Sequence, residues 1–131
     1  MTPLGRATIA ASLGLLLACG GTTGPVAGTL KVDLTSANNG QDGAVLLALS
    51  TPVPPVAVSA GPGLTLWGGP VTTTNAKLVL TGNVTTGTIL TLQVDDINKV
   101  RQYSVTLQQV ANTADFNLRI PLTGYSVTVT K

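Results

Sequence analysis

Residues 29–50 read TLKVDLTSANNGQDGAVLLALS. In the first third, Leu30, Val32 and Leu34 alternate with Lys31, Asp33 and Thr35. Successive side chains of a strand point to opposite faces, so this alternation predicts a strand with one apolar and one polar face. The middle, NNGQDG (38–43), is built from the residues that turns demand, and it predicts a reversal. The last third, AVLLALS (44–50), is apolar without alternation. A short continuous apolar run bounded by turn signals suits a central strand.

Working outward, the same grammar repeats. Toward the C-terminus, TPVPPV (51–56) carries three prolines. Proline cannot donate to a sheet ladder, so this stretch is a crossing or an edge, with a short strand resuming at 56–59. LTLW (64–67) is bracketed by Gly-Pro breaks, and KLVLTG (77–82) and GTILTLQV (87–94) are strands. DDINK (95–99) reads as a loop or one helical turn. QYSVTLQQV (102–110) is a strand with Tyr103, Val105 and Leu107 on one face. FNLRI (116–120) reads as a short edge strand, and YSVTVTK (125–131) closes with Tyr125, Val127 and Val129 inward. No stretch of ten or more residues has helical periodicity. Eight or nine short strands separated by turns predict an all-β, antiparallel β-sandwich over residues 29–131.

Composition bounds the chemistry. The chain has 131 residues, enough for one domain. It has no His, so a Ser-His-Asp or Cys-His catalytic arrangement is impossible. It has one Cys, which rules out an internal disulfide or a Cys-based zinc site. The remaining cations are scattered, and no basic stripe speaks for nucleic acid.

The N-terminus carries an address. Arg6 and the amino terminus make a positive start, and Ala7–Leu17 form an apolar segment too short to span a bilayer. Leu16, Leu17, Ala18 and Cys19 follow. This run resembles the lipobox of bacterial lipoproteins. The resemblance implies cleavage after Ala18 and a diacylglycerol on the Cys19 sulfur. Residues 1–18 are then the signal peptide, and 19–28, rich in Gly and Thr, are the lipidated Cys and a flexible tether. Acyl chains gain about 0.8 kcal/mol per buried CH2, and stable anchoring takes more than one chain. Gly20 after the cysteine leans, by the family's rule, toward the outer membrane or its periplasmic face.

Few residues offer chemistry beyond that address. Asp95 and Asp96 are adjacent, so in a strand they would diverge, whereas glycoside hydrolysis needs two facing carboxylates. Asp33, Asp42 and Asp115 complete the acidic set. Asn38, Asn39, Asp42, Asp95, Asp96 and Asn98 are hard oxygen donors, yet the same residues are the best turn formers, and no EF-hand spacing is present. The reading calls for no metal and no cofactor. Of the aromatic residues, Tyr103 and Tyr125 fall on inward registers. Trp67 borders the Gly68–Gly69–Pro70 break and reads either as a core plug or as an exposed ligand contact.

The order DGAVLLALS, LVLTGNVTTGTILTLQV, YSVTLQQV and a Tyr-led last strand resembles small bacterial lipoproteins whose domain is similar to cohesins and carbohydrate-module sandwiches. That resemblance implies a lipid-anchored, non-catalytic binding or structural module of the cell envelope, with a carbohydrate or cohesin-like protein ligand as the alternative and a hydrolase third. Its expected partners are the membrane, through Cys19, and an envelope protein or glycan.

Overall fold

The computed structural model describes residues 24–131. The signal segment and Cys19 lie outside the described residues. Eight strands form, β1 (Gly28–Thr35), β2 (Asp42–Ser50), β3 (Ala57–Ala60), β4 (Leu64–Trp67), β5 (Asn75–Val84), β6 (Gly87–Val94), β7 (Ser104–Asn112) and β8 (Ser126–Thr130). A 3-10 helix, Ile97–Gln102, sits between β6 and β7. The strands make two four-stranded sheets with orders β3-β6-β1-β8 and β4-β5-β2-β7. Every neighbouring pair is antiparallel. The architecture is the expected β-sandwich. Only β4 and β5 are consecutive within a sheet, and every other connection passes from one sheet to the other.

Alternation builds the core. Leu30, Val32 and Leu34 of β1 face Val45, Leu47 and Leu49 of β2, with Leu78, Leu80, Leu90 and Leu92 beside them, all essentially inaccessible to water. Burying one such side chain is worth roughly 1.5–3 kcal/mol. Two bulges keep the pattern in phase. In β7, Gln109 lies opposite Leu46 but Leu107 lies opposite Leu47, so one glutamine is extra. The extra residue returns Val110 to the interior after two consecutive polar residues. In β6, Ile89 falls in the register shift between Val32 and Asp33 and is buried along with its neighbour Leu90.

Several local expectations need adjusting. The segment 116–120 is no regular strand: a single bridge joins Leu118 to Ala111. Phe116 has φ 57°, in the left-handed region, which breaks the extended course that FNLRI suggests. The turn expected at 38–43 is shorter, because Asp42 and Gly43 already belong to β2. The tether is also bound earlier than residue 29. The Val26 N–H donates to Asp96 Oδ1 at 3.3 Å, and the Val26 carbonyl accepts from Ile97 N at 2.8 Å.

Candidate binding surface

The outer face of the β4-β5-β2-β7 sheet is where sequence and architecture part company. In β2, Val45, Leu47 and Leu49 point inward, which leaves Ala44, Leu46 and Ala48 on the outside. Val79 of β5 lies beside Leu46, and Trp67 of β4 lies beside Val79. On the other flank Gln109 lies beside Leu46, and Ala111 beside Ala44. Leu118 bridges to Ala111 and extends the apolar area past β7. A strand that is apolar on both sides normally has a layer over each. Among the described residues, nothing covers this one.

Trp67 is the most informative side chain here. It is 57% exposed. Its indole Nε1–H donates to Thr81 Oγ1 at 2.9 Å. Thr81 is two residues along β5 from Val79, the direct neighbour of Trp67. The polar edge of the ring is therefore satisfied within the sheet, and the indole is held across the outer side of β5. What remains for solvent is apolar ring surface at a fixed place. Trp67 is therefore not a core plug.

A shallow depression of about 230 Å³ lies on this face, lined by Leu46, Val79, Gln109, Ala111 and Leu118 among others. A second, about 370 Å³, adjoins it farther along β2 at Ala48, Lys77 and Thr106. The polar groups around the apolar strip are Thr65, Thr81, Thr106, Gln108 and Gln109. Lys77 is the one charge on the outward side of the four strands.

The five Asp carboxylates are all elsewhere, and four of them, Asp33, Asp42, Asp96 and Asp115, are hydrogen-bonded into local structure. Asp42 is wholly buried at one end of the sandwich. Arg119 Nε donates to its Oδ1 at 3.0 Å, while Ser36 Oγ and Tyr125 OH donate to its Oδ2 at 2.7 and 2.8 Å. Asn38 Nδ2 donates in turn to the Tyr125 hydroxyl at 2.9 Å. The Asp42 carboxylate, hydrogen-bonded to Arg119, raises the guanidinium further above its already high value. This node ties the β1–β2 turn, the segment before β8 and the Leu118 arm together. Tyr125 is thus half-buried and hydrogen-bonded, while Tyr103 is the one that enters the core.

Asp33 accepts from Thr88 Oγ1 at 2.6 Å on the other sheet. Asp96 caps the 3-10 helix by accepting from Asn98 N at 3.0 Å. Asp115 accepts from the backbone and side chain of Asn117, and those hydrogen bonds hold its carboxyl below the usual range. Asn39 Oδ1 accepts from Thr86 N at 2.9 Å. Among the described residues no three acidic, His or Cys side chains gather as a metal site. Sequence reasoning missed Arg119 as the partner of Asp42, because the two are 77 residues apart. It also missed Leu46 and Val79 as partly exposed residues of an outer face.

No family model, no curated protein and no solved structure matches the chain.

Proposed function

We propose that the chain is a non-catalytic binding module of the bacterial cell envelope, anchored through an acylated Cys19 and engaging its ligand with the outer face of the β4-β5-β2-β7 sheet. One observation supports the binding face above all others: Leu46 and Val79 sit side by side at the centre of that face, partly exposed, with no layer over them among the described residues. Contiguous exposed apolar area on a small domain marks a contact surface. The local engagement of Asp33, Asp42, Asp96 and Asp115 supports a binding role over hydrolysis. The lipobox-like run ending at Cys19 supports the address, with the periplasmic side of an outer membrane as the favoured location.

The test has two arms. Cys19→Ser should move the chain from the membrane fraction to the soluble fraction, and the mature N-terminus should carry acyl mass. For the face, the full chain in detergent is immobilised and exposed to solubilised envelope protein and to isolated envelope glycan. Retention lost in Leu46→Lys but kept in Thr128→Lys, on the opposite sheet, is the expected result. Equal loss in both variants, or retention unaffected by Leu46→Lys, would place the ligand elsewhere.

A further inference from the structure

We infer that a second copy of this chain pairs with β8, antiparallel and edge to edge, about a two-fold axis at Thr128. This goes beyond the binding-face reading and does not depend on it. Each sheet has two edge strands, β3 and β8 in one and β4 and β7 in the other. An edge presents a row of unpaired N–H and C=O groups, and what satisfies such a row is another extended chain.

Three of the four edges are blunted against such an addition. β3 and β4 have only four residues each. Pro55 and Pro62 stand two residues to either side of β3, and Gly68–Gly69–Pro70 follows β4. β7 is bent by its extra glutamine. Its far half is covered as well: Leu118 bridges to Ala111, and the Arg119 N–H donates to the Val110 carbonyl at 2.8 Å. β8 has none of these devices. Ser126–Thr130 holds no proline, glycine or charge, and its pairing with β1 runs without a register shift. Its inward Val127 and Val129 are only half-buried, although their neighbours on β1, Leu34 and Val32, are sealed in the core.

The sequence of this edge says which strand fits it. Ser-Val-Thr-Val-Thr reads almost the same in both directions. Turned about Thr128, Ser126 faces Thr130 of the second copy, Val127 faces Val129, and Thr128 faces Thr128. This is the one symmetric register that pairs all five residues. It sets β-branched residues against each other and hydroxyls against hydroxyls, which are favoured cross-strand pairs. A two-fold axis normal to the sheet keeps every side chain on its own face. The inner row then runs from Leu34 through Val127 to Val129 and Val32 of the second copy, apolar throughout.

Charge permits the arrangement. Asp33 lies beside Thr128, so the two Asp33 residues are three strand spacings apart, about 14 Å. The two Lys131 residues fall at opposite ends of the paired strands, roughly 20 Å apart. Both separations exceed the screening length of about 8 Å at physiological salt. β8 belongs to the other sheet from Leu46 and Trp67, so pairing leaves the proposed ligand face open.

Five edge residues make a small contact beside the roughly 1,200–2,000 Å² of a standard interface, so the pairing is concentration-dependent. The full chain in detergent is followed by sedimentation over a roughly hundredfold range of protein concentration. The expected result is a protein mass per particle that rises from one chain to two. The double variant Ser126→Lys with Thr130→Lys sets like charges opposite each other at both ends of the edge, and should weaken pairing about tenfold. Ser126→Glu with Thr130→Glu should do the same. An equimolar mixture of the two variants should pair again, because each Lys then faces a Glu. Recovery on mixing requires folded chains, so it separates lost pairing from lost folding. Single chains throughout the range, doubly charged variants that pair as the parent does, or a mixture that stays single overturns the inference. A chain that is single alone, yet is retained by envelope protein and released by the double Lys variant, assigns the edge to a foreign strand and also overturns it. The reading of the Leu46 face is untouched by each of these outcomes, since its own test is Leu46→Lys.

Discussion

The two outer faces of the sandwich are made by the same rule and come out opposite. On the β3-β6-β1-β8 sheet the outward positions are Lys31, Asp33 and Thr35 of β1, Thr91 and Gln93 of β6, Ala57 and Ser59 of β3, and Ser126, Thr128 and Thr130 of β8. Nearly all of these groups are polar and at least partly exposed, and Asp33 is bonded to Thr88. On the β4-β5-β2-β7 sheet the outward positions at the centre are Ala44, Leu46, Ala48 and Val79, with Trp67 at one flank and Leu118 at the other. Both sheets bury an apolar inner face, so the need for a core does not explain the difference. An apolar outer face adds aggregation risk and little stability. Its presence on one sheet only supports the ligand-facing role proposed for it.

Neighbouring residues of β2 give the sharpest test of that contrast. Leu47→Ala empties a fully buried site and should cost about 3 kcal/mol in denaturant unfolding. Leu46→Ala, one residue away on the outer face, should cost less than about 1 kcal/mol, the range of surface changes. Equal costs would mean that something covers the outer face in the free chain.

The Leu118 side of the face depends on the buried node. Arg119→Ala leaves the Asp42 charge with only Ser36 and Tyr125 as donors, and should cost about 2 kcal/mol. The double variant Asp42→Asn with Arg119→Met should recover part of that loss, since neither charge is then left alone. A single Arg119→Ala with unchanged stability would show that the arm is held by other contacts.

The interior that both sheets share should respond to alkali. Burial raises the Tyr103 hydroxyl above the ordinary tyrosine value of about 10, and the charges of Asp95 and Asp96 add to it. Above that value the unfolded chain binds fewer protons than the folded one, so stability is intact below about pH 10 and falls as pH rises through the folded value. Tyr103→Phe should remove this alkaline loss. It should also cost almost nothing at neutral pH, because the hydroxyl is buried with no partner among the described residues. The smallest effect belongs to Phe116→Gly. The side chain is 70% exposed and its φ is positive, so relief of left-handed strain offsets the flexibility of Gly, and stability should change by less than about 1 kcal/mol.

The contrast between the faces also marks where the sequence was legible. TLKVDLTS states both of its faces by alternation, and β1 presents them as written. AVLLALS announces a central strand, which β2 is, but a continuous apolar run does not say whether its second side meets a layer or stands open. That depends on what else the chain supplies, and here the other strands are spent on two sheets. Trp67 was ambiguous for the same reason: its exposure follows from its register against Val79, which only the pairing of β4 with β5 sets. Asp42 read as a turn residue because its partners, Arg119 and Tyr125, are distant in sequence. FNLRI looked like a strand because local pattern carries no record of the turn in which Asp115 and Asn117 set Phe116.

The most direct test of the central claim is acrylamide quenching of the Trp67 emission in the full chain, free and with isolated cell envelope. The account predicts a red-shifted, readily quenched indole in the free chain that becomes protected when envelope is added. A blue-shifted emission resistant to quencher in the free chain, or free access that envelope leaves unchanged, would contradict it.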